Sequence, residues 1–425
     1  MPSTTPTPKL AIIGAGPVSL TLANILQKNC IPFTIFEASP TFRTQGGSLD
    51  LHPESGQLAL KEAGLWNQFM KHARPESDVM KIVSLDGEVL WDENGADKHE
   101  VKEDEKFNGR PEIDRVMLLK ILSENLKSDN VQLGRKLQEI VPSVADGSKY
   151  DLHFADGTQE TAFDLVVGGD GAWSKVRNLL SDTKPDYSGI SAVEFWCHDI
   201  KKNPWLLDYI GEGSMMALGE GCAVQAQRQG DGSLRAYAAL RVPEDFLETC
   251  GINWSDTDNA RIQYVERYFS HICNDLKRIV LESPDGLFLR PLYELPVGFT
   301  WPSRSGITLI GDAAHVFTPY AGEGVNVGMN DALVLAREIA NAYNNETDLG
   351  EATRAYEQEM FPRAAKAAAK TMRGKINHFS ANGGKEFADM FKAHYYGSSK
   401  AGVVRDSVNL ADTMHDGSKI DIPRN

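Results

Sequence analysis

Apolar residues open the ordered part of the chain in an unbroken run, Leu10-Ala11-Ile12-Ile13, and recur at Leu20, Leu22, Ala23 and Leu26, the spacing of a helix that buries one face. Between them lies Gly14-Ala15-Gly16-Pro17, and PFTIFEAS then supplies a second strand ending at Glu37. The pattern predicts a strand, helix, strand unit of the size of a right-handed parallel crossover. Residues 55–73 predict a helix, and residues 79–93 a hairpin, because Asp86-Gly87 separates two alternating runs. Asp114 to Leu126 reads as helix, followed by several strands turning at Asp146-Gly147 and Asp156-Gly157. From about 186 to 295 the apolar pattern has period two in AVEFWCHDI, SMMALGEG, CAVQAQRQ and LRAYAALRV, with one helix near 258–276. ITLIGDAAH restores a buried strand, and helices over about 324–341 and 351–378 follow. Residues 1–8, MPSTTPTP, have no apolar periodicity and predict a loose arm.

Length and composition narrow the class. A chain of 425 residues has room for two or three domains. With 44 basic against 59 acidic residues the formal charge is −15, which disfavours nucleic acid as a partner. Hydrophobic residues at 41% and charged residues at 24% fit a folded soluble protein. The five cysteines are scattered, odd in number and never closer than 23 residues, so neither a disulfide framework nor a metal-binding pair is expected. The uncharged stretch Leu10 to Leu26 is interrupted by Gly14, Gly16 and Pro17 and reads as strand and helix rather than a membrane span. Cytoplasmic location, no membrane insertion and no carboxy-terminal targeting signal are the expectations.

Three motifs carry chemistry. Gly14-Ala15-Gly16-Pro17-Val18-Ser19 is followed, 23 residues after Gly14, by Glu37. Gly14 permits a tight turn, Gly16 a close approach of backbone to a pyrophosphate, and Glu37 an acceptor for ribose hydroxyls. Ser19 stands where a third glycine is usual. The second motif, LVVGGDGAWSKVR, ends a strand in Gly168-Gly169-Asp170-Gly171 and predicts a helix starting near Ser174. Asp170 suits contact with a ribose or pyrophosphate, and equally suits an ordinary Asp-Gly turn. The third, Gly311-Asp312-Ala313-Ala314-His315 with Pro319, Gly322, Gly324 and Asn326, places an acid at a strand end before a glycine-rich helix start, where negative charge is stabilised. His315 reads as a backbone-bonded histidine beneath the loop rather than a base, since no second catalytic group is paired with it in sequence.

Taken together, these motifs resemble the three signatures of the class A flavin-dependent monooxygenases with the p-hydroxybenzoate hydroxylase fold, over Lys9 to about His378. Within that family, Gly46-Gly47-Ser48-Leu49-Asp50-Leu51-His52, Pro111-Glu112-Ile113-Asp114-Arg115, Ser174-Lys175-Val176-Arg177 and Ala321 to Asn326 are similar to the tetracycline-inactivating enzymes. The resemblance implies an α/β fold: a Rossmann-like FAD-binding domain with an inserted, mostly antiparallel substrate sheet and a C-terminal helix. It places the FAD-binding domain at 9–75, 106–185 and 291–345, the substrate sheet at 76–105 and 186–290, and a helical region at 346–425. Gly14, Gly16, Ser19 and Glu37 would meet the adenosine half of FAD and Asp312 its ribityl or pyrophosphate portion, with Asp170 as a further cofactor contact. Asp50 and Arg115 would lie near the ring and ribityl chain, Arg43 near the nicotinamide coenzyme or the flavin edge, and Pro319, Gly322, Gly324, Val325 and Asn326 along the ring. Ala38 follows Glu37 where many relatives carry arginine, so one adenosine contact is absent.

The activity implied is oxygen transfer to an aromatic, phenolic or polyketide-like small molecule through a flavin C4a-hydroperoxide. NADPH, or NADH in its place, would be the reductant and O₂ the oxidant, with no protein nucleophile, no metal and a monomer or homodimer as the working form. Tetracyclines belong to the candidate substrates. By period-two alternation Gln225 and Gln227 share one strand face, and Arg235, Tyr237, Ala239 and Arg241 the next. That polar face is either the wall of a substrate cavity or a solvent-facing surface. Asp208, Met215 and Met216 fall where relatives line the cavity. The competitors are a reductase or halogenase on the same fold and a non-catalytic flavin-binding protein; the WxWxIP motif of halogenases is absent at Trp196 and Trp205.

Overall fold

The computed structural model describes residues 8–42, 46–98 and 106–397. Arg43 and nearly all of the expected amino-terminal arm lie outside the described residues, as does the end of the helical region beyond residue 397. Five parallel strands form the first sheet, in the order Ile307–Leu309, Leu165–Gly168, Leu10–Ile13, Thr34–Phe36 and Val131–Gln132. Leu10–Ile13 and Leu165–Gly168 are buried at every position, as strands covered on both faces must be. Helix Pro17–Lys28 packs beside helix Gly324–Asn345, which in turn carries the long helix Leu349–His378. The three strands between 137 and 163 make a separate antiparallel sheet.

A seven-stranded sheet runs in the order Gly286–Glu294, Asp186–Cys197, Leu234–Arg241, Cys222–Arg228, Ser214–Gly219, Met80–Val83, Val89–Asp92. It is antiparallel except where Ser214–Gly219 lies parallel to Met80–Val83. Its two faces differ in what covers them. Val193, Phe195, Met215, Val224 and Ala236 pack under helices Pro204–Ile210, Thr257–Tyr268 and Asn274–Leu281. On the opposite face Ala192, Ala223 and Ala239 meet Tyr320 and Phe379. A short ribbon, Ser48–Asp50 paired with Glu112–Asp114, sits between the two large sheets.

Three expected helices are altered. The helix over 55–73 divides into Gly56–Glu62 and Trp66–Met70 at Gly64, whose φ of +77° no helix accommodates. The helix over 258–276 ends at Tyr268 and a second begins at Asn274; the backbone N–H of Cys273 donates to Leu85 O and fixes the break. After Asp170 the chain makes a turn and one 3₁₀ segment, Arg177–Leu179, instead of a helix from Ser174. Helix Gly383–Tyr396, within the expected helical region, covers Ile82 and Trp91 at the end of the large sheet, with Phe391 5.8 Å from the Trp91 ring. Among the described residues no helix is long and apolar enough to cross a membrane.

Candidate functional site

The first sheet ends in a glycine cradle. Gly14 has φ +95°, and a Cβ there would lie 2.5 Å from Gly169 O, so two chain segments touch through bare backbone. Gly16 caps helix Pro17–Lys28 with no side-chain bond to the first turn, and a Cβ on it would meet nothing within 4 Å. The helix therefore offers its free N–H groups and partial positive charge to open space. Glu37 accepts from Ala15 N at 2.7 Å and Ser39 N at 2.8 Å, which places its carboxylate beside that opening. Ser19 is buried and costs no close packing, because Gly169 opposite has no Cβ: one would stand 2.1 Å from Ser19 Oγ. The compensation is a pair, visible only once the helix and the end of strand Leu165–Gly168 are side by side.

Asp170 turns out to serve its own turn. Its carboxylate accepts from Ser174 Oγ at 2.5 Å and Lys175 N at 2.7 Å, and burial raises its pKa above the usual carboxylate value in spite of these bonds. Arg177, buried, ties this turn to the third motif by donating to Ala313 O at 2.9 Å and to Ala172 O. Asp312 is exposed at the start of the short helix Asp312–His315, on the open side. Gly324 begins helix Gly324–Asn345 with open space at its Cβ position, and Val325 packs partly into the core beside it. Pro319, exposed, accepts from Gly322 N, and a Cβ on Gly322, at φ +64°, would stand 3.8 Å from the Asp50 carboxylate. Buried Asn326 joins helix to ribbon: its Oδ1 accepts from His52 N and its Nδ2 donates to Asp50 O. Arg115 packs its side chain over Gly46, and its backbone N–H donates to Gly47 O.

His315 is not backbone-bonded as expected. Its ring, stacked on Phe317, meets the fully buried Asp331 carboxylate at 2.5 Å, and Arg363 holds the other oxygen at 2.9 Å. Burial, the largest single influence, would depress the His315 pKa; the charge and hydrogen bond of Asp331, joined by the Asp312 charge, together outweigh it and the net direction is up. Burial likewise pushes Asp331 up, and His315 with Arg363 brings it below the usual carboxylate range. Asp331 also accepts from Gly311 N at 2.9 Å, so the cluster braces the loop that carries Asp312. Sequence spacing offers no sign of this, since Asp331 and Arg363 lie on different helices.

The polar face of the large sheet turns inward. Gln225 is opposite Tyr237 and Gln227 opposite Arg235, and Arg235 is only 6% exposed. A Cβ on Gly47 would stand 3.5 Å from the Tyr237 hydroxyl and 3.6 Å from Gln227 Oε1, so this face looks at the ribbon beside Asp50 and Arg115. The solvent-facing reading fails for all but Arg241, which lies at the exposed end. Met216 shares the inward face, with its sulfur 3.9 Å from Gln225 Nε2. Met215 points the other way into the helix-covered core, and Asp208 is exposed on helix Pro204–Ile210 behind it; neither joins the others. Glu194, Trp196 and Arg290 complete the face: Glu194 accepts from Trp196 Nε1 and Arg290 Nε at 2.7 Å each, and Arg235 stacks 3.4 Å over Trp196.

Another acid of this region stands in the Pro111 to Arg115 motif with no role assigned from sequence. Glu112, 6% exposed, accepts from Gln227 Nε2 at 3.0 Å and faces Arg74 at 3.4 Å. Burial pushes its carboxyl up to about 7 from 4.5, against the opposing pull of Arg74. The folded state thus binds this proton more tightly than the unfolded chain. Its contribution to stability is complete below pH 4.5 and is lost as pH rises through about 7. Glu112→Gln is expected to remove that decline, worth as much as about 3 kcal/mol, so that the variant loses less stability than the parent between pH 4.5 and 7.5 in denaturant titrations. Parallel curves would contradict the assignment.

Comparison with known proteins supplies the context. The FAD binding domain family matches residues 7–218 and 302–371. The monooxygenase asqM of Emericella nidulans is 30% identical over 91% of this chain and 98% of its own length. Klebsiella pneumoniae HpxO, solved with FAD and uric acid, superposes with a TM-score of 0.70 at 20% identity, covering 88% of this chain and 89% of that one. The tetracycline destructase Tet(55) does so with a TM-score of 0.68 at 16% identity, covering 91% and 96%. At such identities the two structures are evidence of a shared fold.

Proposed function

Because the chain belongs to the FAD binding domain family of flavin-dependent monooxygenases, we propose that it transfers one oxygen atom to a phenolic or enolic, aromatic or polyketide-like small molecule, with NADPH as the reductant. The observation that carries this reading is one of placement. The cradle at Gly14–Gly16 and the exposed Asp312 follow the two strands that flank Leu165–Gly168, helix Gly324–Asn345 meets the ribbon Ser48–Asp50 through Asn326, and the inward polar face meets its Gly47 end through Tyr237 and Gln227. FAD, when bound, supplies the oxygen activation that amino-acid side chains cannot.

The residues present fit that cofactor. Gly14 closes the turn against Gly169, Gly16 leaves room for a pyrophosphate, Glu37 would accept from the adenosine ribose, Asp312 would hold the ribityl or pyrophosphate portion, and Asp50 and Arg115 would flank the ring. Helix Gly324–Asn345 would present its positive end to negative charge on the ring, with Pro319, Gly322, Val325 and Asn326 alongside. Asp170, whose carboxylate holds its turn through Ser174 and Lys175, would be a further cofactor contact. Residues 9–75, 106–185 and 291–345 would form the cofactor unit, and 76–105 with 186–290 the substrate face.

The protein's own task is to hold the substrate and exclude water. Met216 and the alanines of the large sheet give an apolar floor, and Gln225 and the Tyr237 hydroxyl give hydrogen bonds at its edge. Tyr237 keeps its proton, since burial holds its pKa well above the ordinary tyrosine value and the charge of Glu194 adds to the effect. A planar ring bearing a hydroxyl or enol oxygen matches that surface, and tetracyclines are among the molecules of this shape. Purified protein is expected to be yellow, or to become so on adding FAD, and to oxidise NADPH faster when its substrate is present. A protein that stays colourless after reconstitution would sink the reading. NADPH oxidation indifferent to every phenol tried would favour a reductase.

A further inference from the structure

Two buried acids meet the polar face: Glu194, held there by Trp196 and Arg290, and Glu112, which reaches it from the ribbon. Glu112 stands directly across the ribbon from Asp50 and carries Gln227 of the large sheet on one oxygen. The charged groups facing it are Arg74 from the preceding loop, Asp50 from the partner strand and Asp78 from the turn beyond Arg74. Arg74 is shared: its Nη2 also donates to Asp114 Oδ1 at 3.1 Å and Ser48 Oγ at 2.6 Å, so Glu112 has only a long, divided ion pair at 3.4 Å. A carboxylate so placed is poised between its two protonation states near neutral pH.

We propose that Glu112 is a positioning residue that takes up the proton a phenolic or enolic hydroxyl gives up on binding beside Gln227 and Tyr237, so that the substrate is held as its oxyanion. The inference rests on the substrate class proposed above. Electrophilic oxygen attacks the most electron-rich carbon, and ionising the ring hydroxyl enriches that carbon. The substrate O–H bond breaks, its electron pair stays on oxygen, and one proton is gained by the Glu112 carboxylate; charge at the site is unchanged and nothing is oxidised. The coupling is electrostatic and needs no continuous chain of bonds. A new negative charge a few ångströms away in partly buried surroundings moves a carboxyl by about one to two pH units, enough to protonate Glu112. The protonated Tyr237 hydroxyl can donate to the oxyanion, while Gln227, whose Nε2 is taken by Glu112, separates that space from the Glu112 carboxylate.

The test uses the FAD-loaded protein and 7-hydroxycoumarin, a planar phenol whose neutral and ionised forms absorb at different wavelengths. Absorbance reports the state of the bound probe, and an indicator dye in weak buffer reports protons released, corrected for ionisation of the free probe. At pH 7.5 the parent is expected to release fewer protons per bound probe than Glu112→Gln, by roughly half a proton or more. The difference should vanish below pH 6, where Glu112 already carries its proton. The parent alone shows the same signature, with release falling as pH rises through 7, so the test survives a poorly folding variant. Equal release by both proteins, or a probe bound in its neutral form, overturns the inference while leaving the phenolic reading intact. No binding by 7-hydroxycoumarin or by any phenol of a substrate screen removes that reading and the inference with it.

Discussion

Asp331→Asn is expected to destabilise the protein by about 3–5 kcal/mol, the cost of breaking a buried ion pair from one side. Asp331 is fully buried and serves three donors: Gly311 N, His315 and Arg363. An asparagine keeps one accepting oxygen and turns an N–H₂ group toward a donor, leaving a cation without its counter-charge in a dry site. Arg363 retains Glu359 at 2.6 Å, whereas His315 has no second carboxylate partner among the described residues. The two titrations set the pH window. Asp331 lies below its ordinary 3.8, so its contribution is present above that pH and is lost as pH falls through its folded value. His315 lies above its ordinary 6.5, so its contribution is complete below that pH and is lost as pH rises through its folded value. Parent and variant should therefore differ most between about pH 4 and 6.5 in denaturant midpoints, and less above that range. A difference below 1 kcal/mol in this window would mean that the cluster contributes little to the fold.

Two glycines separate stability from cofactor binding. Gly16 has φ −75° and ψ 173°, which any residue adopts, and free space around its Cβ position. Gly16→Ala should leave unfolding within about 0.5 kcal/mol of the parent. The same methyl group projects into the space assigned to the pyrophosphate, so FAD affinity should fall at least tenfold, by about 1.4 kcal/mol or more. Gly14→Ala differs because φ +95° and the contact with Gly169 O oppose any side chain. It should cost about 2–5 kcal/mol in stability and lose FAD as well. Flavin fluorescence titrations with thermal or denaturant unfolding distinguish the two outcomes. Gly16→Ala with unchanged FAD affinity would place the cofactor elsewhere.

Local signals made much of the cradle legible. Gly14, Gly16 and Glu37 follow from a strand, a turn and a second strand within about 30 residues, and Gly311-Asp312 from a buried strand running into a glycine-rich helix start. The alternation of Gln225, Gln227, Arg235 and Tyr237 showed that they share a face, but which way that face turns depends on helices that pack behind Met215 and on the ribbon in front. For the same reason spacing alone does not show that Met215 faces the helix-covered core and that Asp208 lies on the helix behind it. Glu112 and Asp331 were silent in sequence because their partners, Arg74 and Gln227 in one case and His315 and Arg363 in the other, meet them only through tertiary packing. Ser19 reads as a defect in a motif until Gly169 is placed against it. The broken helices mark where a single positive φ at Gly64, or a tertiary hydrogen bond at Cys273, overrides a good local pattern.

Oxygen-isotope transfer tests the central claim most directly. FAD-loaded protein is supplied with NADPH, isotopically labelled O₂ and a panel of phenols, anthraquinones and tetracyclines, and products are read by mass spectrometry. The account predicts that at least one member of the panel both accelerates NADPH oxidation and gains a single labelled oxygen atom. NADPH oxidation that yields only labelled hydrogen peroxide or water, with no labelled product anywhere in the panel, would contradict it.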